Sequence, residues 1–288
     1  MTPVNALALV TGASSGIGYA LARQFVEHGY DVVIAAEDDR LAEVAAELGS
    51  CGSRVHPAQV DLAGYEGVEQ LVSELEALRR PLAAAALNAG IGRGGAFLDT
   101  RLADELRIID LNVTSTVHLA KRLLPPMVED GAGRLLITSS IASTMPGPFQ
   151  AVYNASKSFL QSFAQALQEE LKDTGVTVTS LMPGPTDTDF FRRAGMLDTK
   201  VGRSEKDDPA QVACQAYEAM TSGKDKIIAG SLKTRAHGIA NHVLPDRMKA
   251  AAHRRMAEPG TGEGEGDGSG HGRGRGKGNG NGNGKRPE

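Results

Sequence analysis

Between residues 6 and 184 short apolar runs alternate with longer stretches whose apolar residues recur every three or four positions. The short runs are ALALV (6–10), DVVIAA (31–36), RVHPAQVD (54–61), LAAAALNAG (82–90), RLLITSS (134–140) and TVTSLMPG (177–184). Their near-continuous apolar character predicts strands covered on both faces, not strands with one wet side. Helical spacing occupies 18–29, 40–49, 67–80, about 101–128, 153–173 and 209–222, and the first two segments stop at Gly29 and Gly49. Strand and helix in turn, with glycine or proline at the joints, predict an α/β fold: a doubly wound, Rossmann-like parallel sheet flanked by helices on both faces. In such a sheet the ligand sits outside the carboxyl ends of the strands.

The pattern changes at Glu258. Glycine takes every even position from Gly260 to Gly284, with acids, then bases, then asparagines between, and nothing apolar to bury. Residues 258–288 therefore read as a disordered glycine-rich tail, and residues 1–257 as one domain with a substrate lid at about 188–225. Acids at 263, 265 and 267 precede the basic part of the tail, so a nucleic-acid partner is not expected. The net charge of −4 calls for no strongly charged partner. No apolar run approaches the length of a membrane span, and the N-terminal run passes straight into a glycine-rich turn, as a buried strand does and a signal peptide does not. Cys51 and Cys214 make neither a disulfide framework nor a metal spacing, which suits a cytoplasmic protein without a metal. His237, His242 and His253 have no ligand spacing and read as surface or packing residues.

Two motifs carry chemistry. The first strand runs into VTGASSGIG (10–18), where Gly12, Gly16 and Gly18 let the backbone turn tightly beside a helix N-terminus that offers free N–H groups to a phosphate. The spacing is G-x-x-x-G-x-G, which differs from the dinucleotide fingerprint G-x-G-x-x-G. In YNASK (153–157), Tyr153 and Lys157 lie one turn apart on one helix face. A positive charge there favours phenolate, bringing a group that titrates near 10 closer to working pH.

These motifs, with VD (60–61), NAG (88–90), LNV (111–113), TSS (138–140) and PGPTDT (183–188) in order, resemble the single-domain short-chain dehydrogenase/reductase family. The resemblance covers residues 5 to about 195 and implies an NAD(P)-dependent oxidoreductase that interconverts a secondary alcohol and a ketone. By it, Tyr153 is the general acid/base and Lys157 its tuner and a ribose ligand. Ser140, 13 residues before Tyr153, holds the substrate oxygen, with Ser139 as the competing candidate. Asn112 holds a water for proton relay. Gly12, Ser14, Ser15, Gly16, Ile17 and Gly18 form the coenzyme turn; Asp61 and Leu62 lie at the adenine; Asn88, Ala89 and Gly90 end the fourth strand. Pro183, Gly184, Thr186 and Thr188 hold the nicotinamide, although Thr186 replaces a residue that is usually branched and apolar. The alternative is a dinucleotide-binding regulatory scaffold without turnover, against which the intact Asn112, Ser140, Tyr153 and Lys157 set argues.

The cofactor is NAD or NADP. The positions that carry the family's NAD aspartate and NADP arginine are Ala36 and Glu37 here, so neither signature is present; Glu37 and Asp38 favour NAD unless Arg40 turns in. The substrate wall is expected from Phe190, Phe191, Met196 and Leu197 of the lid, facing Met145, Pro146 and Phe149, which suits an apolar alcohol or ketone. The long helices at 101–128 and 153–173 imply, by the resemblance, a homodimer or homotetramer.

Overall fold

The computed structural model describes residues 6–50, 52–240 and 245–262, with side chains omitted over 237–240. Cys51, His242 and residues 263–288 of the tail lie outside the described residues, as does the His237 side chain. Seven strands form one parallel sheet: β1 (Leu7–Thr11), β2 (Asp31–Ala36), β3 (Val55–Gln59), β4 (Leu82–Leu87), β5 (Gly133–Thr138), β6 (Val176–Pro183) and β7 (Lys226–Ala229). Their order is 3-2-1-4-5-6-7, so the direction of winding reverses between β1 and β4 and opens a crevice at their carboxyl ends.

The strand period of two divides the core between the faces. Ala8 and Val10 of β1 pack with α1 (Gly16–Glu27), α2 (Arg40–Gly49) and α9 (Pro209–Thr221). Leu7 and Leu9 point the other way, to α3 (Tyr65–Ala77), α5 (Ser115–Glu129) and α6 (Ala151–Glu170). Both faces are covered, which is why all five residues of β1 and all six of β2 are buried.

Three departures from the sequence reading bear on the site. The helix expected over 101–128 is α4 (Leu102–Ile108), a π-helical turn (Ile109–Thr114) and α5, and Asn112 sits in the π-turn. Beyond the helix read over 209–222 lies a seventh strand, β7, whose short KIIA run has too few residues to stand out. After α7 (Phe190–Arg193), α8 (Lys200–Arg203) and α10 (Leu232–Ala240) comes α11 (Asp246–Ala257). The packed chain continues past residue 257: Gly260 N donates to Asp198 Oδ2 at 2.9 Å, and Gly262 N to Asp198 O at 2.8 Å. Backbone N–H groups, which every glycine keeps, hold 258–262 without any apolar side chain.

Candidate active site

The glycine turn is built against β2 and β4. Gly12 (φ +66°) and Gly16 (φ +56°) occupy the left-handed region, which glycine enters without a Cβ penalty. Gly18 has a different reason: a Cβ there would lie 2.0 Å from Gly12 O. A Cβ on Gly16 would lie 2.7 Å from Thr188 Cγ2, so the turn faces the segment after β6 across a bare backbone trough. We expect Gly18→Ala to weaken NADH binding at least about tenfold, because the turn must open to admit the methyl; calorimetric titration measures it.

Thr11 stitches the strand ends together. Its hydroxyl accepts from Asn88 N and Ala89 N, both at 3.0 Å. Asn88 Nδ2 donates to Thr11 O at 3.2 Å, and Thr138 Oγ1 donates to Asn88 Oδ1 at 3.2 Å. The Asn88 carboxamide is thus occupied in tying β1, β4 and β5 together while the residue lines the cleft.

At the end of β2, Ser14 donates to Asp38 Oδ2 at 2.6 Å. Arg107, which sequence reasoning passed over, reaches Glu37 at 2.6 Å and Asp61 at 3.2 Å. Asp61 Oδ1 also accepts from Ala63 N at 3.0 Å. Ser15, Ile17, Leu62, Ala89 and Gly90 line the same cleft, as do Pro183, Gly184, Thr186 and Thr188. Thr186 is bridged to Asp207, whose buried carboxylate accepts from Ser231 N at 2.9 Å and Thr234 Oγ1 at 2.6 Å. The segment after β6 is therefore anchored to the chain beyond β7.

Ser140, Tyr153 and Lys157 meet at the far end of the cleft. The Tyr153 hydroxyl is near enough to Ser140 for that side chain to favour its phenolate form; the serine Oγ itself donates to Pro183 O at 3.5 Å and accepts from Ala142 N at 3.1 Å. Ser139 faces away and donates to Lys157 O at 2.9 Å, as successive residues at a strand end must diverge. Lys157 Nζ donates to Thr138 O at 2.9 Å and lies 5.8 Å from the centre of the Tyr153 ring. Asn112 is satisfied by backbone and a serine: Oδ1 accepts from Ile91 N at 2.9 Å, and Nδ2 donates to Ile91 O at 2.9 Å and Ser156 Oγ at 3.0 Å. Gly90 keeps the space in front of these groups open, since a Cβ there would lie 3.1 Å from Asn112 Oδ1 and 3.3 Å from Lys157 Nζ.

The electrostatics differ from the expectation that lysine lowers the phenol. Tyr153 is open only to the cleft, and surrounding protein pushes its pKa up to about 12, opposed by the Ser140 side chain. Burial pushes Lys157 the other way, down to about 8. Both shifts have one cause, loss of water around the charged form. In the protein alone both shifts favour the neutral forms, the protonated phenol and the uncharged amine, with Lys157 brought down to about 8.

The cleft has a volume of about 360 Å³. Its trough, floored by glycine backbone and ended by tyrosine and lysine, fits a dinucleotide laid from the β2 end to Tyr153. The substrate wall is only partly as expected. Phe190 packs 5.2 Å from the Tyr153 ring, and Phe191 and Met145 also line the cleft. Met196 is instead buried in the lid core, Leu197 is exposed, and Pro146 and Phe149 do not reach the cleft. Their place is taken by α11, whose Lys249, Ala252, His253 and Met256 line it. The sequence held a signal for this helix: Pro245 before Asp246, and Arg254 and Arg255 in its last turn.

The family model for short chain dehydrogenase matches residues 6–196. Sulfoacetaldehyde reductase 2 of Chromohalobacter salexigens is 36% identical over 187 residues, 64% of this chain and 74% of the relative. Among solved structures, a short-chain dehydrogenase from Sphingobium yanoikuyae in complex with NADPH superposes with a TM-score of 0.72 at 29% identity. It covers 77% of this chain and 87% of its own. A 3-oxoacyl-[acyl-carrier protein] reductase with bound NAD from Brucella melitensis gives 0.67 at 26% identity, over 79% and 90% of the two chains.

Proposed function

This chain belongs to the short-chain dehydrogenase/reductase family and is an NAD(P)-dependent oxidoreductase acting on CH–OH groups; we propose that it interconverts a secondary alcohol and a ketone, with Tyr153 as the general acid/base. The observation that carries this reading is the convergence of Ser140, Tyr153 and Lys157 on one end of the cleft, with Lys157 Nζ 5.8 Å from the centre of the tyrosine ring.

A nicotinamide held in this cleft would supply or accept the hydride. The Tyr153 hydroxyl gives the alkoxide its proton, or takes it back in oxidation. Ser140 holds the substrate oxygen and stabilises the charge that develops on it. Lys157 would donate to the nicotinamide ribose and places a positive charge near the phenol. Asn112 fixes the backbone at Ile91 and would hold the water that links Lys157 to solvent for proton relay. Gly12, Ser14, Ser15, Gly16, Ile17 and Gly18 hold the pyrophosphate; Asp61 and Leu62 border the adenine; Asn88, Ala89 and Gly90 shape the floor. Pro183, Gly184, Thr186 and Thr188 would hold the carboxamide, with Asp207 as their anchor. The catalytic domain expected over residues 1–257 extends to residue 262, and its lid, about 188–225, packs on α11 through Phe191, Ala194, Met196 and Ala257. The exposed apolar residues Leu102, Leu106, Ile109 and Phe159 on α4, the π-turn and α6 support a homodimer or homotetramer.

NAD is the preferred cofactor in this reading. Glu37, Asp38 and Asp61 all border the adenosine end, where a 2′-phosphate would meet three carboxylates. Arg107 is already engaged by two of them. NADH is expected to bind at least about tenfold more tightly than NADPH, and Glu37→Gln to narrow that gap. Parallel calorimetric titrations decide it; tighter NADPH binding means that Arg107 turns to the phosphate. The oxidoreductase reading itself is tested by NADH oxidation against a ketone panel with Tyr153→Phe as control. Binding without turnover on the whole panel favours the regulatory scaffold.

A further inference from the structure

Along one face of α11, residues 249, 252, 253 and 256 line the cleft. Lys249 is the charged group of this face, with only 12% of its side chain exposed. Its ammonium has three N–H donors. One goes to Thr144 O at 3.1 Å and one to Asp246 Oδ1 at 2.8 Å. Asp246 is 78% exposed, so its pairing with Lys249 is a weak, water-screened contact that another anion can replace.

One turn on, His253 Nδ1 lies 3.1 Å from Pro148 O. A carbonyl only accepts, so Nδ1 carries the hydrogen, and the neutral ring keeps Nε2 as a bare acceptor. Burial lowers the His253 pKa, which favours the neutral ring. Ala252 and Met256 complete the face without polar groups. Arg193 and Asp189 also line the cleft, and Asp189 is held by Arg192 at 3.0 Å. On α11 itself the charge that faces the cleft is the Lys249 ammonium.

We propose that α11 is the recognition wall of the substrate site, and that Lys249 selects carbonyl substrates bearing an oxyanion group such as a carboxylate, sulfonate or phosphate. Asp246 holds the ammonium until the substrate anion displaces it. His253 Nε2 accepts from a hydroxyl on the same substrate. The substrate class rests on the oxidoreductase reading above; the anion site does not.

The test is therefore a binding measurement on the full chain saturated with NADH. Hexanoate, hexane-1-sulfonate, hexyl phosphate and hexan-1-ol are titrated by calorimetry. At least one anion is expected to bind about tenfold or more tightly than the alcohol, as a charge-assisted contact in an apolar cleft implies. The three anions show which oxyanion is preferred. Lys249→Met is expected to abolish the difference and Lys249→Arg to keep it. Asp246→Asn alters only an exposed carboxylate; it is expected to tighten anion binding severalfold, which a purely structural Lys249 would not produce. Equal binding of anions and alcohol, or anion binding unchanged by both Lys249→Met and Asp246→Asn, overturns the proposal. Turnover of 5-oxohexanoate against its methyl ester is read separately. Anion binding without turnover of any carbonyl supports the site and counts against the oxidoreductase reading.

Discussion

Tyr153→Phe is expected to lower kcat for ketone reduction by about 10²–10⁴-fold, the range set by loss of a positioned proton donor. NADH affinity should stay within about threefold, because the ring remains and only the hydroxyl goes. The site explains the separation. The phenol is held protonated by surrounding protein, with a pKa near 12, and its one side-chain partner of consequence is Ser140. In reduction it needs only to give a proton to an oxygen held by that same serine. Phenylalanine keeps the 5.2 Å packing of this ring on Phe190, so the cleft wall survives. Loss of NADH absorbance under saturating ketone gives kcat, and calorimetry gives the affinity. A loss smaller than tenfold would mean that the proton comes from elsewhere, with Lys157 the first candidate.

Lys157→Met should remove activity while making the cofactor-free protein more stable at pH 7. Lys157 is buried, and its pKa falls from 10.5 to about 8. A depressed lysine pKa means that the folded state resists the charged form. The penalty is full below about pH 8 and disappears as pH rises to 10.5, where the unfolded chain also loses the proton. It amounts to about 3 kcal/mol at most. Methionine removes it and forfeits the hydrogen bond to Thr138 O, which offsets about 1–2 kcal/mol. The expected net gain is about 1–2 kcal/mol at pH 7, shrinking toward zero and then reversing as pH approaches 10. Urea unfolding of both proteins from pH 6 to pH 10 measures this. Parallel stability curves for variant and wild type would show that water or an anion already compensates the Lys157 charge. A stability gain on losing the lysine would mark it as retained for chemistry at the expense of the fold.

Much of the architecture could be read from local pattern. The strand over 31–36 and the helix over 40–49 lie where the pattern put them, because a buried apolar run and a glycine stop are local signals. Gly18 was legible as part of a turn, but its reason is a collision with Gly12 O that only the folded turn creates. Ser139 and Ser140 are equivalent as letters; they separate because one side chain points to the α6 backbone and the other to the Tyr153 ring. Asn112 was expected in regular helix and lies in a π-turn, where its carboxamide pairs with Ile91.

By itself, then, the sequence determined the α/β sheet, the order of its elements, the glycine turn and the Tyr153–Lys157 pair. Each of these is written in residues a few positions apart. Tertiary structure alone decided which groups face one another across the cleft. It joined Arg107 to Glu37 and Asp61, and Asp207 to Ser231 and Thr234. It also raised Tyr153 and lowered Lys157 by enclosing both, and it laid Lys249 and His253 along the cleft. The physical reason is that desolvation and cross-chain contacts depend on what surrounds a side chain in space, and residues 24 to 105 positions apart carry no mark of one another in a linear pattern.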